Sequence, residues 1–257
     1  TLLEKERSDL ISILNDLNVK VVELPFPTIF NTEPIKHDFV YIRDPFITNQ
    51  NGKAVILRMK EPNRRGESTM AGKLLDKMGL EIVRIPDKPG LYAEGGEFYF
   101  CPVENILFSG QCRNSVSGME AVAEALNVSE LVIIQSHSYH LDTYFTPILD
   151  QEGHVCALIL CMDIVSVKSS RDLREFAERK NIPIIDIPLE DAIGTAANPG
   201  SFAANALPLP GVLIGPNHFS DRSIDDRLKE MGVKRIVTPM TQFELSGGSI
   251  HCITNEI

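Results

Sequence analysis

A single kind of unit recurs five times along the chain, and this recurrence limits the folds that the chain can adopt. Each unit has a stretch with helical spacing of apolar residues, a short β-rich run and a further β-rich segment. The helical stretches and the β-rich runs that follow them are residues 3–18 and 19–25, 69–78 and 80–86, 118–126 and 130–135, 171–180 and 182–188, and 221–231 and 233–239. The further β-rich segments are residues 39–48 with 54–59, 97–101 with 106–109, 143–149 with 155–160, 201–207 with 212–215, and 249–254 alone. Such a series is typical of a cyclic pseudo-repeat, although the sequence alone does not separate it from an α/β sandwich.

The charge of the chain favours a small cationic ligand over a polyanion. The 257 residues carry a formal net charge of −10, whereas nucleic acids and anionic membranes are bound by clustered Lys and Arg. No stretch approaches the roughly 20 apolar residues that span a bilayer. The five cysteines are an odd number without paired spacing, which favours a reduced, cytoplasmic protein.

The first two polar motifs place carboxylates beside predicted strands. Asp38 and Asp44 lie six residues apart, so in a strand they would share a face, and Pro45 restrains Asp44 to an extended backbone. The alternative is a strand that ends in a turn with an exposed Arg43–Asp44 ion pair. The second motif, Glu94-Gly-Gly-Glu97, positions Glu94 at a strand edge or forms a polar turn.

The third motif pairs a histidine with a carboxylate. In a strand His140 and Asp142 point to the same side, which gives one cavity a proton shuttle and an acid. A zinc clip with His137 is a competing use, but no Cys or His at recognisable spacing supplies the remaining ligands. A surface or core histidine without chemistry is the other alternative.

The fourth motif contains the candidate nucleophile. Cys252 lies in a short apolar run, predicted to be a strand, directly after Gly247-Gly248, and that turn can open one side of the cysteine to a ligand. The usual alternative is a buried structural cysteine, which suits Cys101, Cys156 and Cys161.

Carboxylates around a cysteine indicate a cationic substrate. Several carboxylates in one pocket raise the pKa of a thiol, unless the substrate is itself a cation. A guanidinium removes this conflict, because its planar N–H donors match carboxylates and its charge favours the thiolate.

The four motifs together resemble the guanidino-group-modifying superfamily. This superfamily includes arginine deiminases, dimethylarginine dimethylaminohydrolases, agmatine deiminases and amidinotransferases. The matching segments occur in the family's order: Arg43-Asp-Pro-Phe46, Glu94-Gly-Gly96, His140-Leu-Asp-Thr143 and Gly247-Gly-Ser-Ile-His-Cys252. The resemblance implies a five-bladed α/β propeller (pentein) of ββαβ-like units, with residues 1–257 as one catalytic domain.

The resemblance also implies a role for each site residue. Cys252 would be the nucleophile, His140 would protonate the leaving amine and then activate water, and Glu94 would orient His140. The substrate-binding residues implied are Asp44 and Asp142 for the guanidinium, Asp38 for the α-amino group, and Arg113 for the carboxylate. A surface Arg that opens a helix is the alternative for Arg113.

The expected activity is hydrolysis of arginine or an Nω-methylated arginine to citrulline, through a covalent thiouronium intermediate and without a metal or cofactor. The motifs leave the derivative open, because His140-Leu-Asp-Thr looks like arginine deiminases and Gly-Gly-Ser-Ile-His-Cys looks like agmatine deiminases. An amidinotransferase and a non-catalytic propeller that binds a partner remain alternatives. Members of the superfamily are often dimers, so a homodimer is compatible with the resemblance.

Overall fold

The chain forms short strands and helices that alternate in a regular order. The computed structural model describes residues 1–31 and 37–257. The helices within these ranges are α1 (Leu2–Asp16), α2 (Arg65–Lys77), α3 (Val116–Leu126), α4 (Val167–Lys180), α5 (Ser223–Glu230) and α6 (Thr241–Glu244). The strands are β1 (Phe46–Thr48), β2 (Lys53–Ile56), β3 (Glu81–Arg84), β4 (Phe98–Cys101), β5 (Ile106–Gly110), β6 (Glu130–Ile134), β7 (Phe145–Leu149), β8 (Val155–Leu160), β9 (Ile184–Asp186), β10 (Leu207–Leu209), β11 (Val212–Gly215) and β12 (Lys234–Val237).

Four of the recurring units fold as ββαβ modules. The strands form four open three-stranded sheets, β1-β2-β3, β4-β5-β6, β7-β8-β9 and β10-β11-β12. In each sheet the first two strands are antiparallel and the third lies parallel to the second. A parallel neighbour requires a crossover connection, and α2, α3, α4 and α5 supply it. The helix-then-strand order seen in the sequence is therefore the second half of each module.

Local signals in the sequence set the ends of the helices. The hydroxyls of Ser115 and Ser166 accept backbone N–H groups in the first turns of α3 and α4. The predicted stops after α2 and α5 are confirmed, since Gly79 and Gly232 adopt positive φ angles of 88° and 76°.

The first and fifth units each differ from their predictions in one β-rich run. Residues 19–25 and 249–254, both expected to be strands, have no strand in the structure. Residues 249–254 form tight turns instead, because the backbone N–H of Ile253 bonds to the carbonyl of Ser249 and that of Thr254 to the carbonyl of His251, at 3.1 and 3.2 Å. These local bonds replace a sheet ladder. Helix α1 packs Leu10 and Leu14 into an apolar cluster with residues of β10, β11 and α6.

The polar motifs come together at the starts of the first strands of the sheets. In every sheet the central strand is mostly buried, whereas the third strand is more exposed along one edge. The polar motifs stand just before the first strands β1, β4 and β7, at equivalent positions of successive modules. Equivalent positions in a repeat occupy equivalent places in space, so these chain segments meet at one end of the sheets.

Across the described ranges, no helix combines the length and apolarity that a membrane crossing requires.

Candidate active site

The candidate nucleophile lies in the tight turns near the C-terminus. Cys252 is 6% exposed, and its Sγ lies 3.4 Å from Oδ2 of Asp142 and 3.2 Å from Nδ2 of Asn205. The strand expected at Cys252 is absent, because the backbone bonds of Ile253 and Thr254 form turns there instead. The Gly-Gly turn does not leave the cysteine open either: Gly248 lacks a side chain where the ring of Tyr41 packs, and a Cβ there would overlap that ring.

Asp142 is the carboxylate nearest the cysteine, and it is fully buried. Its Oδ2 accepts a hydrogen bond from Nδ1 of His251 at 2.8 Å, while its Oδ1 has no hydrogen-bond partner among residues 1–31 and 37–257. Burial raises the pKa of Asp142 to about 7, with Asp44 adding to the rise and His140 opposing it. Buried polar atoms are nearly always paired, so the lone Oδ1 is an acceptor suited to an N–H donor of a ligand.

His140 lies between two carboxylates. Its Nε2 lies 2.8 Å from Oε2 of Glu94, and its Nδ1 lies 3.6 Å from Oδ1 of Asp44. Burial lowers the pKa of His140, but Asp44 and Glu94 outweigh this effect and raise it to about 9. The expected strand geometry of His140 and Asp142 is wrong, because a 3-10 turn at Leu141–Thr143 follows His140. The turn nevertheless leaves both side chains buried in the same cluster of charged groups.

Glu94 connects His140 to Arg113. The Nε of Arg113 donates to Oε2 of Glu94 at 3.2 Å, and its Nη2 lies 3.2 Å from Oε1 of Glu61. Burial raises the pKa of Glu94, but His140 and Arg113 lower it to about 2. The guanidinium of Arg113 also lies over the ring of Tyr139, 5.2 Å from its centre. Arg113 is therefore next to the cluster, with part of its donor set already used by carboxylates.

Asp38 and Asp44 are separated rather than aligned. Asp38 belongs to a 3-10 turn at His37–Val40, and its side chain is 56% exposed. Asp44 is buried and accepts from Nη1 of Arg64 at 2.8 Å. The expected common strand face is wrong because backbone bonds from Tyr41 to Asp38 and from Asp44 to Tyr41 curl the chain between them. Asp38 pairs with Arg64 at the edge of the cluster, with Nε of Arg64 3.8 Å from its Oδ2.

Several buried polar residues of the cluster were absent from the sequence-based set. They are Arg43, Arg64, Glu67, Glu97, Asn205 and His251. Glu97 accepts the backbone N–H groups of Arg113 and Leu141 at 2.5 and 2.9 Å, which links two modules. The repeat contains a signal for Asn205, because Asn205 precedes β10 in the fourth module as Asp44 precedes β1 in the first. Comparison of these equivalent positions would have predicted Asn205 as a site residue.

The zinc alternative has no supporting donor set. In residues 1–31 and 37–257, no group of three or more His, Cys, Asp or Glu side chains is arranged to hold a metal ion. His154 pairs with Glu104 and His218 with Asp225, both at exposed positions. Both ring nitrogens of His140 face carboxylates: Nε2 is hydrogen-bonded to Glu94, and Nδ1 lies 3.6 Å from Asp44, beyond hydrogen-bond distance.

Comparison of the sequence with known families decides the family. The profile of the family described as N,N dimethylarginine dimethylhydrolase, eukaryotic, matches residues 4–257. The chain belongs to this dimethylarginine dimethylhydrolase family. Family membership agrees with the four motifs and places the chain in the guanidino-modifying pentein superfamily.

Two curated relatives share about a quarter of their residues with this dimethylhydrolase-family chain. Protein YkgA of Bacillus subtilis (strain 168) is 24% identical over 254 residues, which cover 97% of this chain and 78% of YkgA. The bifunctional arginine dihydrolase/ornithine cyclodeaminase ArgZ of Synechocystis sp. (strain ATCC 27184 / PCC 6803 / Kazusa) is 26% identical over 208 residues. That match covers 79% of this chain and 27% of ArgZ, so the chain corresponds to about a quarter of that protein.

Solved structures share the fold. The apo crystal structure of the arginine dihydrolase ArgZ from cyanobacteria matches 98% of this chain and 37% of its own, with a TM-score of 0.79 and 23% identity. A dimethylarginine dimethylaminohydrolase adduct with 4-chloro-2-hydroxymethylpyridine matches 98% of this chain and 90% of its own, with a TM-score of 0.72 and 18% identity. These likenesses establish an α/β pentein fold with ββαβ-like modules.

Proposed function

We propose that this protein hydrolyses the guanidino group of arginine or an Nω-methylated arginine, with Cys252 as the nucleophile. The products are citrulline and ammonia or an alkylamine. One observation carries the proposal: the fully buried Oδ1 of Asp142 has no hydrogen-bond partner in the part of the chain that the structure describes, and Oδ2 of the same carboxylate lies 3.4 Å from the Cys252 Sγ. A cation that fills this acceptor therefore brings its central carbon close to the thiol.

The charges around Cys252 favour a substrate that is itself a cation. Burial, Asp142 and Asp44 raise the pKa of the Cys252 thiol well above its ordinary value. A bound guanidinium places a positive charge beside these carboxylates, which lowers the thiol pKa at the moment when attack can occur. The free protein then keeps an unreactive thiol, and the substrate itself promotes the thiolate.

The carboxylates have distinct tasks in binding. Oδ1 of Asp142 accepts one N–H of the guanidinium. Asp44 already accepts from Arg64 and from the backbone N–H of Gly96 at 3.2 Å, and a carboxylate has further lone pairs for a second N–H of the substrate. Bidentate recognition of this kind fixes the guanidinium plane relative to the attacking sulfur.

His140 supplies and removes protons during the reaction. The Cys252 thiol loses its proton to solvent when the substrate binds, and the thiolate adds to the guanidinium carbon to give a tetrahedral adduct. Protonated His140 donates to the leaving nitrogen, which departs as ammonia or an alkylamine. Neutral His140 then takes a proton from water as the water oxygen adds to the thiouronium carbon. Collapse of this second adduct breaks the C–S bond, and the hydroxyl proton passes to sulfur, which releases the ureido product and restores the Cys252 thiol. Glu94, 2.8 Å from Nε2, orients the ring.

Asp38 and Arg113 are proposed to contact the amino-acid end of the substrate. Asp38 is exposed beside Arg64 and can pair with an α-ammonium group. Within the described residues, the ion pairs of Arg113 with Glu94 and Glu61 use Nε and Nη2, and Nη1 is proposed to donate to the substrate carboxylate.

The module count supports a cyclic architecture with five units. Four ββαβ modules are formed, and α1 with the adjoining residues 19–25 and the C-terminal turns occupies the remaining part of the repeat order. Apolar side chains of α1, residues 19–21 and Ile253 pack in one cluster with β10 and β11. A five-bladed propeller with the active site on its axis is consistent with this packing.

A panel of guanidino compounds tests the proposal. Arginine, monomethylarginine, dimethylarginine and agmatine are incubated with the protein and with Cys252→Ser, and the ureido product and released amine are measured. At least one compound should give a ureido product with the wild type and none with the variant. Ureido formation by Cys252→Ser would contradict the cysteine mechanism, and inactivity of the wild type on the whole panel would contradict the proposed function.

Added amines separate water from other acceptors. Repeating the assay of arginine with glycine or lysine should leave citrulline as the product. Ornithine together with an amidinated amine, in place of citrulline, would show transfer of the amidino group instead of hydrolysis.

A further inference from the structure

The side chain of Asn205 touches the sulfur of the candidate nucleophile. Asn205 is fully buried in the loop before β10, and its Nδ2 lies 3.2 Å from Sγ of Cys252 and 2.9 Å from the carbonyl oxygen of Asp142. Its Oδ1 accepts the backbone N–H groups of His251 and Cys252 at 3.0 and 3.4 Å. One amide therefore contacts both the nucleophile and the carboxylate beside it.

These contacts fix the orientation of the amide. Backbone N–H groups only donate, so the side-chain atom that faces His251 and Cys252 must be the oxygen. The two N–H bonds of Nδ2 then point to the opposite side, where the Asp142 carbonyl and the sulfur stand. The amide oxygen accepts two hydrogen bonds and Nδ2 donates two. Rotating the amide by half a turn would place its N–H groups against the backbone N–H groups of His251 and Cys252.

Backbone hydrogen bonds and burial hold the loop in place around Asn205. The backbone N–H of Asn205 bonds to the carbonyl of Phe202 at 2.8 Å, and that of Ala204 bonds to the carbonyl of Asp191 at 3.0 Å. Ala204 and Ala206, on either side, are fully buried. A donor held in this way before the reaction costs no reorganisation when charge develops on sulfur.

We infer that Asn205 is a catalytic residue: its Nδ2–H donates to the sulfur of Cys252 and stabilises the thiolate that attacks the substrate. This inference deepens the proposed function and rests on Cys252 being the nucleophile. A neutral donor suits this place, because it favours negative sulfur without competing with a cationic substrate for Asp142.

The other charged and titratable groups around the thiol act in the opposite direction or at a distance. Burial, Asp142 and Asp44 raise the pKa of Cys252, whereas the backbone at Ser249 and the Asn205 side chain lower it. The phenols of Tyr41 and Tyr99 also interact with the thiol, but burial raises the pKa of both, so they stay neutral at physiological pH. The pKa of His251 is held well below its ordinary value by burial and by Arg43 and His140, which keeps this ring neutral.

The test measures the thiol directly and needs no substrate. The pH dependence of Cys252 alkylation by iodoacetamide is followed in the wild type, Asn205→Leu and Asn205→Asp, with Cys252→Ser to subtract the other cysteines. Leu removes the donor without adding charge, and Asp keeps the oxygen that accepts the backbone N–H groups. Both variants should alkylate at least about tenfold more slowly at a fixed pH below the thiol pKa, which corresponds to a rise of about one pKa unit.

Asn255→Leu is the matched control. Asn255 ties the same C-terminal segment to the carbonyl of Phe46 at 3.0 Å but makes no bond to the sulfur. Its loss should leave the thiol pKa unchanged. A higher thiol pKa in Asn205→Asp alone, with Asn205→Leu like the wild type, would mean that added charge acted and would overturn the inference.

A measurement on the wild type covers the case in which the variants fail to fold. With ¹⁵N-labelled asparagine, the Nδ2 protons of Asn205 should shift as the Cys252 thiol titrates, and this shift should vanish in Cys252→Ser. If the Nδ2 proton shifts of Asn205 stay constant while the Cys252 thiol titrates, the inference is also overturned. Because neither readout uses hydrolysis, failure of the inference and failure of the proposed function remain separate results.

Discussion

Nδ1 of His251 lies 2.8 Å from Oδ2 of Asp142, and both side chains are buried. Since the pKa of His251 is held far below its ordinary value by burial and by Arg43 and His140, the ring is neutral and Nδ1–H donates to the carboxylate. The ring also stacks on Tyr99, with centroids 4.2 Å apart, which fixes its plane. His251 thus occupies one oxygen of Asp142 and leaves the other for a ligand.

Replacing His251 by Leu should weaken substrate binding. The change removes the Nδ1–H donor from the buried Oδ2 of Asp142, which costs about 1–3 kcal/mol. Because about 1.4 kcal/mol corresponds to a factor of ten, we expect kcat/KM to fall roughly 5- to 150-fold, with most of the loss in KM. Steady-state kinetics on the active compound of the panel measures this. His154→Leu, at an exposed position, is the control, and equal kinetics for His251→Leu and wild type would contradict the role.

Binding of the guanidinium should weaken on acidification. Because the pKa of Asp142 is raised to about 7, its carboxylate is mostly protonated about one pH unit below that value and mostly ionised about one unit above. Titration calorimetry with Cys252→Ser should show about tenfold tighter binding of arginine or its methylated forms at about pH 8 than at about pH 6. Asp142→Asn should bind weakly without this dependence. Equal affinity of Cys252→Ser at both pH values would refute the assignment.

His140 should stabilise the fold at neutral pH and lose this effect in alkali. Its folded pKa of about 9 lies above the unfolded value of about 6.5. A raised pKa means that the protonated form is favoured by folding, so the contribution is complete below about pH 6.5 and disappears as the pH rises through about 9. The difference in unfolding free energy between wild type and His140→Gln, measured with urea, should therefore shrink from about pH 6 to about pH 10. A constant difference would show that His140 is neutral in the folded protein.

The ion pair of Arg43 and Glu256 should hold the nucleophile segment in place. Arg43 is buried, its Nη1 donates to Glu256 Oε2 at 2.6 Å, and its Nε donates to the His251 carbonyl at 3.2 Å. Arg43→Met leaves Glu256 without its cation and should lower the unfolding free energy by about 3 kcal/mol.

A double variant separates the pair from packing. Adding Glu256→Gln to Arg43→Met removes the unpaired charge and should recover part of the stability. Lys168→Met, which breaks the exposed Lys168–Asp172 pair, should change stability by less than about 1 kcal/mol. No recovery in the double variant would show that Arg43 acts through packing alone.

The fold was predictable where local signals agree with the repeat. Apolar spacing located α2, α3, α4 and α5, and Gly79 and Gly232 marked the ends of α2 and α5, because caps depend on nearby residues alone. The residues of the four motifs, including Cys252, His140, Glu94 and Asp44, were proposed as site residues from their types and order, and the structure buries these four side chains. Chemistry needs particular side chains, and these are visible in a sequence.

The geometry of the site was not predictable by strand alternation. Asp38 and Asp44 were expected on one face, as were His140 and Asp142, but turns at both places redirect the backbone. Turns form where their own hydrogen bonds outweigh a ladder with a neighbouring strand, and that balance depends on which strand is near. Asp38 consequently lies exposed, whereas Asp44 is buried against Arg64.

The sequence by itself determined the succession of modules, the kinds of reactive side chain and their order along the chain. Only the tertiary structure decided which of them meet. Arg64 has ordinary sequence surroundings, and it joins Asp44 because the module ends converge on one buried volume. The same convergence brings Asn205 to Cys252 and His251 to Asp142. Because this volume is buried, an unpaired polar atom in it is costly, and each side chain needs a hydrogen-bond partner. For Cys252 and Asp142, the partners Asn205 and His251 lie more than 45 positions away in the chain, so only the fold can supply them.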